Sequence, residues 1–264
     1  MAQIKLLGKT NIQGKTIFET APNLGFSVSD ANAISYITAV ETADGASLED
    51  PVKQAIENFI VGCKSDGIWN AIKASCIMAG ARTLNGALVP LVGTAPTNLN
   101  FVSGDYDRKT GLLSNGTTKR LNSNQADNVD PQNSKHFAVF STTLIGSNKS
   151  YGGLVTAVPT NLNSTNGRVR NTTALSMGGI ALGFKGISRD SDLLVKGRSN
   201  STNYQNTNLV SLTPTSTNFG IFTRTLNISE CDCRLSFYSI GESLNLALLD
   251  IRVSALMTAL NTAI

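Results

Sequence analysis

The chain has 264 residues, 22 Lys and Arg against 18 Asp and Glu, one histidine and a formal net charge of +4. Charged residues are only 15% of it, so its polarity is carried by Ser, Thr, Asn and 23 glycines, residues that suit tight turns and strand edges. Lys and Arg are scattered and never form a basic run, which argues against a nucleic-acid partner.

The opening MAQIKLLGKT is too short in its apolar part for a secretory leader, and no run approaches the roughly 18 consecutive apolar residues of a membrane span. The sequence therefore predicts a chain made and folded in a cytosol. Six Asn-x-Ser/Thr triplets, at Asn115, Asn148, Asn163, Asn171, Asn200 and Asn227, carry no glycosylation argument without a leader. Cys63 and Cys76 sit where buried apolar residues are expected, and Cys231 and Cys233 point to one face of a strand. Buried thiols are the expectation, since a four-Cys zinc site needs other spacings.

Residues 1–46 form no strong periodic unit and read as an N-terminal arm or attachment segment; Ala31 to Val40 could be extended or one short helix. Residues 47–73 read as a helical pair. Ser47-x-x-Asp50 resembles a capping box, Val52, Ile56, Phe59, Ile60 and Cys63 make one stripe, and Ser65 to Gly67 breaks it. A second short helix, Ile68 to Lys73, would anchor Trp69 against the sandwich.

Residues 74–240 are short apolar runs divided by Gly, Asn, Asp and Pro, the pattern of an antiparallel sandwich. No fixed-period repeat is present, which argues against a propeller or solenoid. Near its end Phe219, Ile221 and Thr223 alternate, as do Leu235, Phe237 and Ser239. In residues 241–264 the period becomes helical: Ser243 is the expected N-cap, and Leu246, Leu249, Val253, Leu256 and Leu260 form one seam. The seam is either a lid on the body or a contact between subunits.

The chemistry-bearing residues are few. His136, just before an apolar strand, reads as structural; no G-x-S-x-G turn accompanies it. No acidic pair is flanked by the aromatics that usually line sugar subsites. Asp105 to Gly111 reads as a solvated turn, because Arg108 and Lys109 stand where calcium ligands would be needed. Asp127, Asn128, Asp130 and Asn133 form an oxygen-rich loop that could hold calcium. Met177 to Ile180, with its Gly pair, reads as a bulge or close approach in a sheet. No catalytic, cofactor-binding or metal residue is assigned.

Three stretches resemble known proteins: GIWNAIKASCIMAGARTLNGALVPLVGTAPTNLNFVSGDYDRKTGLLSNGTTKRLNSN, DNVDPQNSKHFAVFST and TNFGIFTRTLNISECDCRLSFYSIGESLNLALLDIRV. They are similar to virion structural proteins of bacteriophages, especially those of cyanobacteria and marine bacteria, from about Gly67 to Leu260. The resemblance implies a mainly β fold, a concanavalin A-like, laminin-G-like jelly roll with the arm, helical pair and C-terminal helix attached. It implies a non-enzymatic tail, fibre, collar or capsid appendage, assembled in the host cytoplasm, with other virion proteins as partners and a trimer as first expectation. A tail adhesin for host glycan is the alternative, and a depolymerase a more distant one. It brings no ligand residues with it, because a fold does not fix a function.

Overall fold

Asp30 accepts hydrogen bonds from Asn32 N and Ala33 N and so opens helix α1, Ala31–Asp44, which Gly45 closes at φ +67°. Such a left-handed residue at a helix end is where glycine is cheapest. In this computed structural model residues 26–154, 156–224 and 230–264 are described, with the backbone of two short paired strands, β1 (Asn11–Ile12) and β2 (Lys15–Thr16). The rest of the predicted arm, residues 1–10, 13–14 and 17–25, lies outside the described residues, as does Asn227.

Helix α2, Asp50–Ser65, buries the whole expected stripe, Val52, Ile56, Phe59, Ile60 and Cys63. Its start differs from expectation. The N-cap is Glu49, not Ser47, because Pro51 fits the first turn, where its missing N–H costs nothing. The expected second helix is also absent: a 3₁₀ turn, Trp69–Ala71, leads directly into strand β3, Ile72–Ile77. Trp69 is half-buried against the helices, with Lys64 Nζ 5.7 Å from its ring centre.

The remaining elements are a four-residue helix α3 (Leu84–Ala87) and strands β4 (Thr97–Leu99), β5 (Tyr106–Asp107), β6 (Gly111–Leu113), β7 (Arg120–Ala126), β8 (Lys135–Ser141), β9 (Ser150–Gly153), β10 (Thr160–Asn163), β11 (Asn166–Val169), β12 (Leu175–Ser176), β13 (Gly183–Arg189), β14 (Val195–Ser199), β15 (Thr202–Asn206), β16 (Asn218–Ile221) and β17 (Arg234–Gly241), then helix α4, Leu246–Ala263. They form two antiparallel sheets. One runs β12-β11-β10-β9-β16-β7-β4; the other runs β15-β14-β13-β8-β17-β6-β5, with β3 also paired to β17. This is the predicted jelly-roll sandwich.

The central strands alternate between two cores. Phe137 and Val139 of β8 face the other sheet, where Phe137 meets Phe219 at 5.8 Å, while Ala138 and Phe140 face the helices. Strand β17 departs from the expected alternation. Leu235 pairs with Ser141 and Phe237 with Phe140, leaving Ser236 as an extra residue. That bulge sends Leu235 into the core between the sheets and Phe237 to the helix side, against Phe59 at 5.8 Å. One inserted residue reverses the facing of a strand. Gly241 ends β17 where an added Cβ would lie 2.0 Å from Ala71 O, so only glycine lets the turn and the strand approach.

The helices cover the outer face of the larger sheet. All five seam residues of α4 are buried, at 6% exposure or less, against α2, β13 and β14. Burying five such side chains is worth on the order of 10 kcal/mol relative to leaving them exposed. The seam is therefore a lid within the chain. Helix α4 has the length and composition of a membrane-crossing helix, yet its apolar stripe is used here. Its N-cap is Asn245, which accepts from Ala247 N and Leu248 N; Ser243 instead bonds Ser134. Ion pairs fasten the lid, Asp250 to Arg198 of β14 at 2.6 Å and Arg252 to Asp66 at 2.7 Å.

Candidate functional site

Strand β8 carries both His136 and Lys135, and each is fully buried. His136 Nδ1 lies 2.6 Å from Glu242 O and Nε2 lies 2.7 Å from Ser239 Oγ. With Nδ1–H donating to the carbonyl and Nε2 accepting from the hydroxyl, the neutral ring is satisfied on both sides. Burial pushes its pKa down to about 3, so it stays neutral at physiological pH. The ring is a clamp between β8, β17 and the turn after β17, as expected of a structural histidine.

The oxygen-rich loop that could hold calcium is organised differently. Asp127 and Asp130 are buried while Asn128 and Asn133 are exposed, so the four oxygens do not converge. The two carboxylates are met by the chain's own cations. Lys135 Nζ lies 2.5 Å from Asp130 Oδ2 and 3.9 Å from Asp127 Oδ1. Arg170 Nε donates to Asp127 Oδ1 at 3.2 Å, and its other nitrogens donate to the carbonyls of Asp127, Asp130 and Pro131. Two positive and two negative groups thus neutralise each other, which is the condition for burying any of them. Burial still pushes the Asp127 carboxyl up and the Lys135 ammonium down from their ordinary values. Neither Arg170 nor Lys135 is among the residues singled out in the sequence; a cation opening an apolar strand is the signal that marks Lys135, and Arg170 carries none.

The loop Asp105 to Gly111 is a self-capped turn. Asp107 Oδ1 accepts from Lys109 N, Thr110 N and Thr110 Oγ1, and Asp105 pairs with Lys119 at 2.5 Å. Among the described residues no group of three or more His, Cys, Asp or Glu could hold a metal ion. At the Gly pair expected to mark a close approach, a Cβ on Gly178 would meet Tyr204 Oη at 2.6 Å.

The cysteines divide into two kinds. Cys63 and Cys76 are buried free thiols, each pushed up to about 12 by burial. Cys231 and Cys233 are not free thiols on a strand, as expected, but joined in a disulfide. They precede β17 in a bent segment that brings their Cα atoms to 5.4 Å, inside the usual disulfide range; spacing in sequence could not show the bend.

A cleft of about 430 Å³ opens where the β14–β15 hairpin meets the start of α4. Asn203, Gln205 and Asn245 supply amides, and Lys196 and Asp190 form an ion pair at its wall. Arg198, beneath it, is held by Asp250 at 2.6 Å and by Asn203 Oδ1 at 2.8 Å. The arrangement offers donors and acceptors to a polar ligand but no nucleophile paired with a base. Its residues lie in four separate segments, so no local motif announced it.

No family model and no curated protein matches the chain. Among solved structures it is similar to domain 4 of AbnA, a GH43 extracellular arabinanase from Geobacillus stearothermophilus, determined in complex with arabinotriose. Identity is 16% and the TM-score 0.40, over 61% of this chain and 82% of that one. A likeness so distant transfers no ligand and no residue role.

Proposed function

We propose that the chain is a non-enzymatic structural protein of a bacteriophage virion, a tail, fibre, collar or capsid appendage that presents a rigid sandwich to its surroundings. The observation that carries this reading is where the reactive groups go. His136, Asp127, Asp130 and Asp105 each make contacts inside the chain, which serves the cohesion of the sandwich. The resemblance of residues 67–260 to phage virion proteins supports the same reading. Peptide mass spectrometry of density-purified particles should find the chain at stoichiometric abundance, and immunogold labelling should locate it on them. Its absence from washed particles would sink the proposal. Light scattering at micromolar concentration tests self-association, with a trimer expected.

The cleft above α4 favours a second reading, a host-glycan adhesin, since three amides and an ion pair suit a hydroxyl-rich ligand. A glycan array, run with and without calcium, is its test; no signal above background, or signal unchanged in Asn203→Ala with Gln205→Ala, removes it.

A further inference from the structure

We propose that Lys135 and Asp130 are a self-modification site, joined through an amide between Lys135 Nζ and Asp130 Cγ inside the folded sandwich. Amide formation between two side chains requires reach, a dry setting and a group that moves protons. Reach is met: Nζ lies 2.5 Å from Asp130 Oδ2. Dryness is met as well, with Lys135 at 0% and Asp130 at 4% exposure and the Phe219 ring 4.6 Å from the ammonium. The third group is Asp127. Its Oδ1 is 3.9 Å from Nζ, and its Oδ2 is buried without a hydrogen-bond partner among the described residues. Arg170 holds both acidic residues in place through Asp127 Oδ1 and the carbonyls of Asp127 and Asp130.

The step balances without a co-reactant. The ammonium gives one proton to Asp127, and the nitrogen lone pair attacks Asp130 Cγ. The carboxyl C–O bond then breaks, and Asp127 returns the proton to the departing oxygen. The second oxygen-bound proton also comes from the ammonium, so –NH₃⁺ and –COO⁻ become –NH–CO– and one water, and Asp127 ends as it began. Burial favours the uncharged amine that the attack needs. Asp130 is followed by Pro131, which has no N–H, so water loss at Asp130 cannot arise by ring closure onto the next backbone nitrogen.

The test is the mass of the full purified chain, denatured and with its disulfide reduced, followed by fragmentation of tryptic peptides. The expected result is a mass one water below the sequence, a fragment joining Asp130 to Lys135, and no tryptic cleavage after Lys135. Lys135→Met should restore the full mass, and Asp127→Asn should leave most of the chain unjoined. The full sequence mass in the wild-type chain overturns the proposal, as does water loss mapped elsewhere, for example to Asp44-Gly45 or Asp66-Gly67. If the variants fail to fold, the wild-type fragment map decides alone.

Discussion

Acidification should loosen this protein well before its carboxylates titrate, and the chain's one histidine is the reason. Folded His136 has its pKa pushed down to about 3 by burial, against 6.5 for an unperturbed ring. As pH falls through 6.5 the unfolded chain takes up a proton that the folded chain refuses. Stability from this group is thus complete above 6.5 and is lost progressively down to about 3. Between pH 7.5 and pH 5 the loss is about 2 kcal/mol, approaching about 1.4 kcal/mol per pH unit in the lower part of that range. Carboxylates held low by partners, such as Glu49 beside Arg108 at about 2, add their losses mainly below about pH 4.5. Urea denaturation at half-unit pH steps measures the slope, and His136→Gln should flatten it between pH 7.5 and 5. A folded histidine whose NMR signals titrate near 6.5, or a slope that survives in His136→Gln, would refute the reasoning.

Leu256→Ala in the α4 seam should cost about 2–5 kcal/mol in chemical denaturation, the range for opening a cavity at a buried leucine. Val253→Asp with Leu256→Asp should unfold the chain, as read by circular dichroism; a folded, dissociated species would instead make the seam a subunit contact. Arg170→Met leaves Asp127 buried without its closest cation, and a loss of about 3–5 kcal/mol is expected in the same assay. Thiol titration in denaturant should find two reactive thiols, Cys63 and Cys76, and all four only after reduction. Removing the Cys231–Cys233 link should cost no more than about 2 kcal/mol, because the loop it closes is so short. Gly241→Ala should cost about 1–3 kcal/mol through its clash with the Ala71 carbonyl.

Much of the architecture was legible because it rests on local periodicity. The stripe of α2 and the seam of α4 repeat at three- and four-residue steps, and every residue named in them is buried. The many short runs between turn residues likewise predict an antiparallel sandwich, since brief strands must bury one face against a second layer and no fixed-period repeat points to a propeller. Element ends were less legible. Ser47 and Ser243 look like caps, but Pro51 and the Ser134 contact moved the helix starts to Glu49 and Asn245. Between Ala31 and Asp44 the apolar pattern is weak, and the helix is secured by Asp30, Gly45 and packing against α2 and α3.

The sequence by itself determined the class of fold, the two principal helix faces and the structural part played by His136, because these follow from spacing and from one ring beside an apolar strand. Tertiary structure decided what spacing cannot express. The bulge at Ser236 turns Leu235 and Phe237 to opposite cores, and a bend closes Cys231 onto Cys233. Arg170, forty residues from Asp130, turns an oxygen-rich loop that could have held calcium into part of an ion cluster. Each outcome depends on which charge or backbone group arrives from a distant strand, and in a dry interior that arrival decides whether an acidic side chain binds a metal, neutralises a lysine or reacts with it.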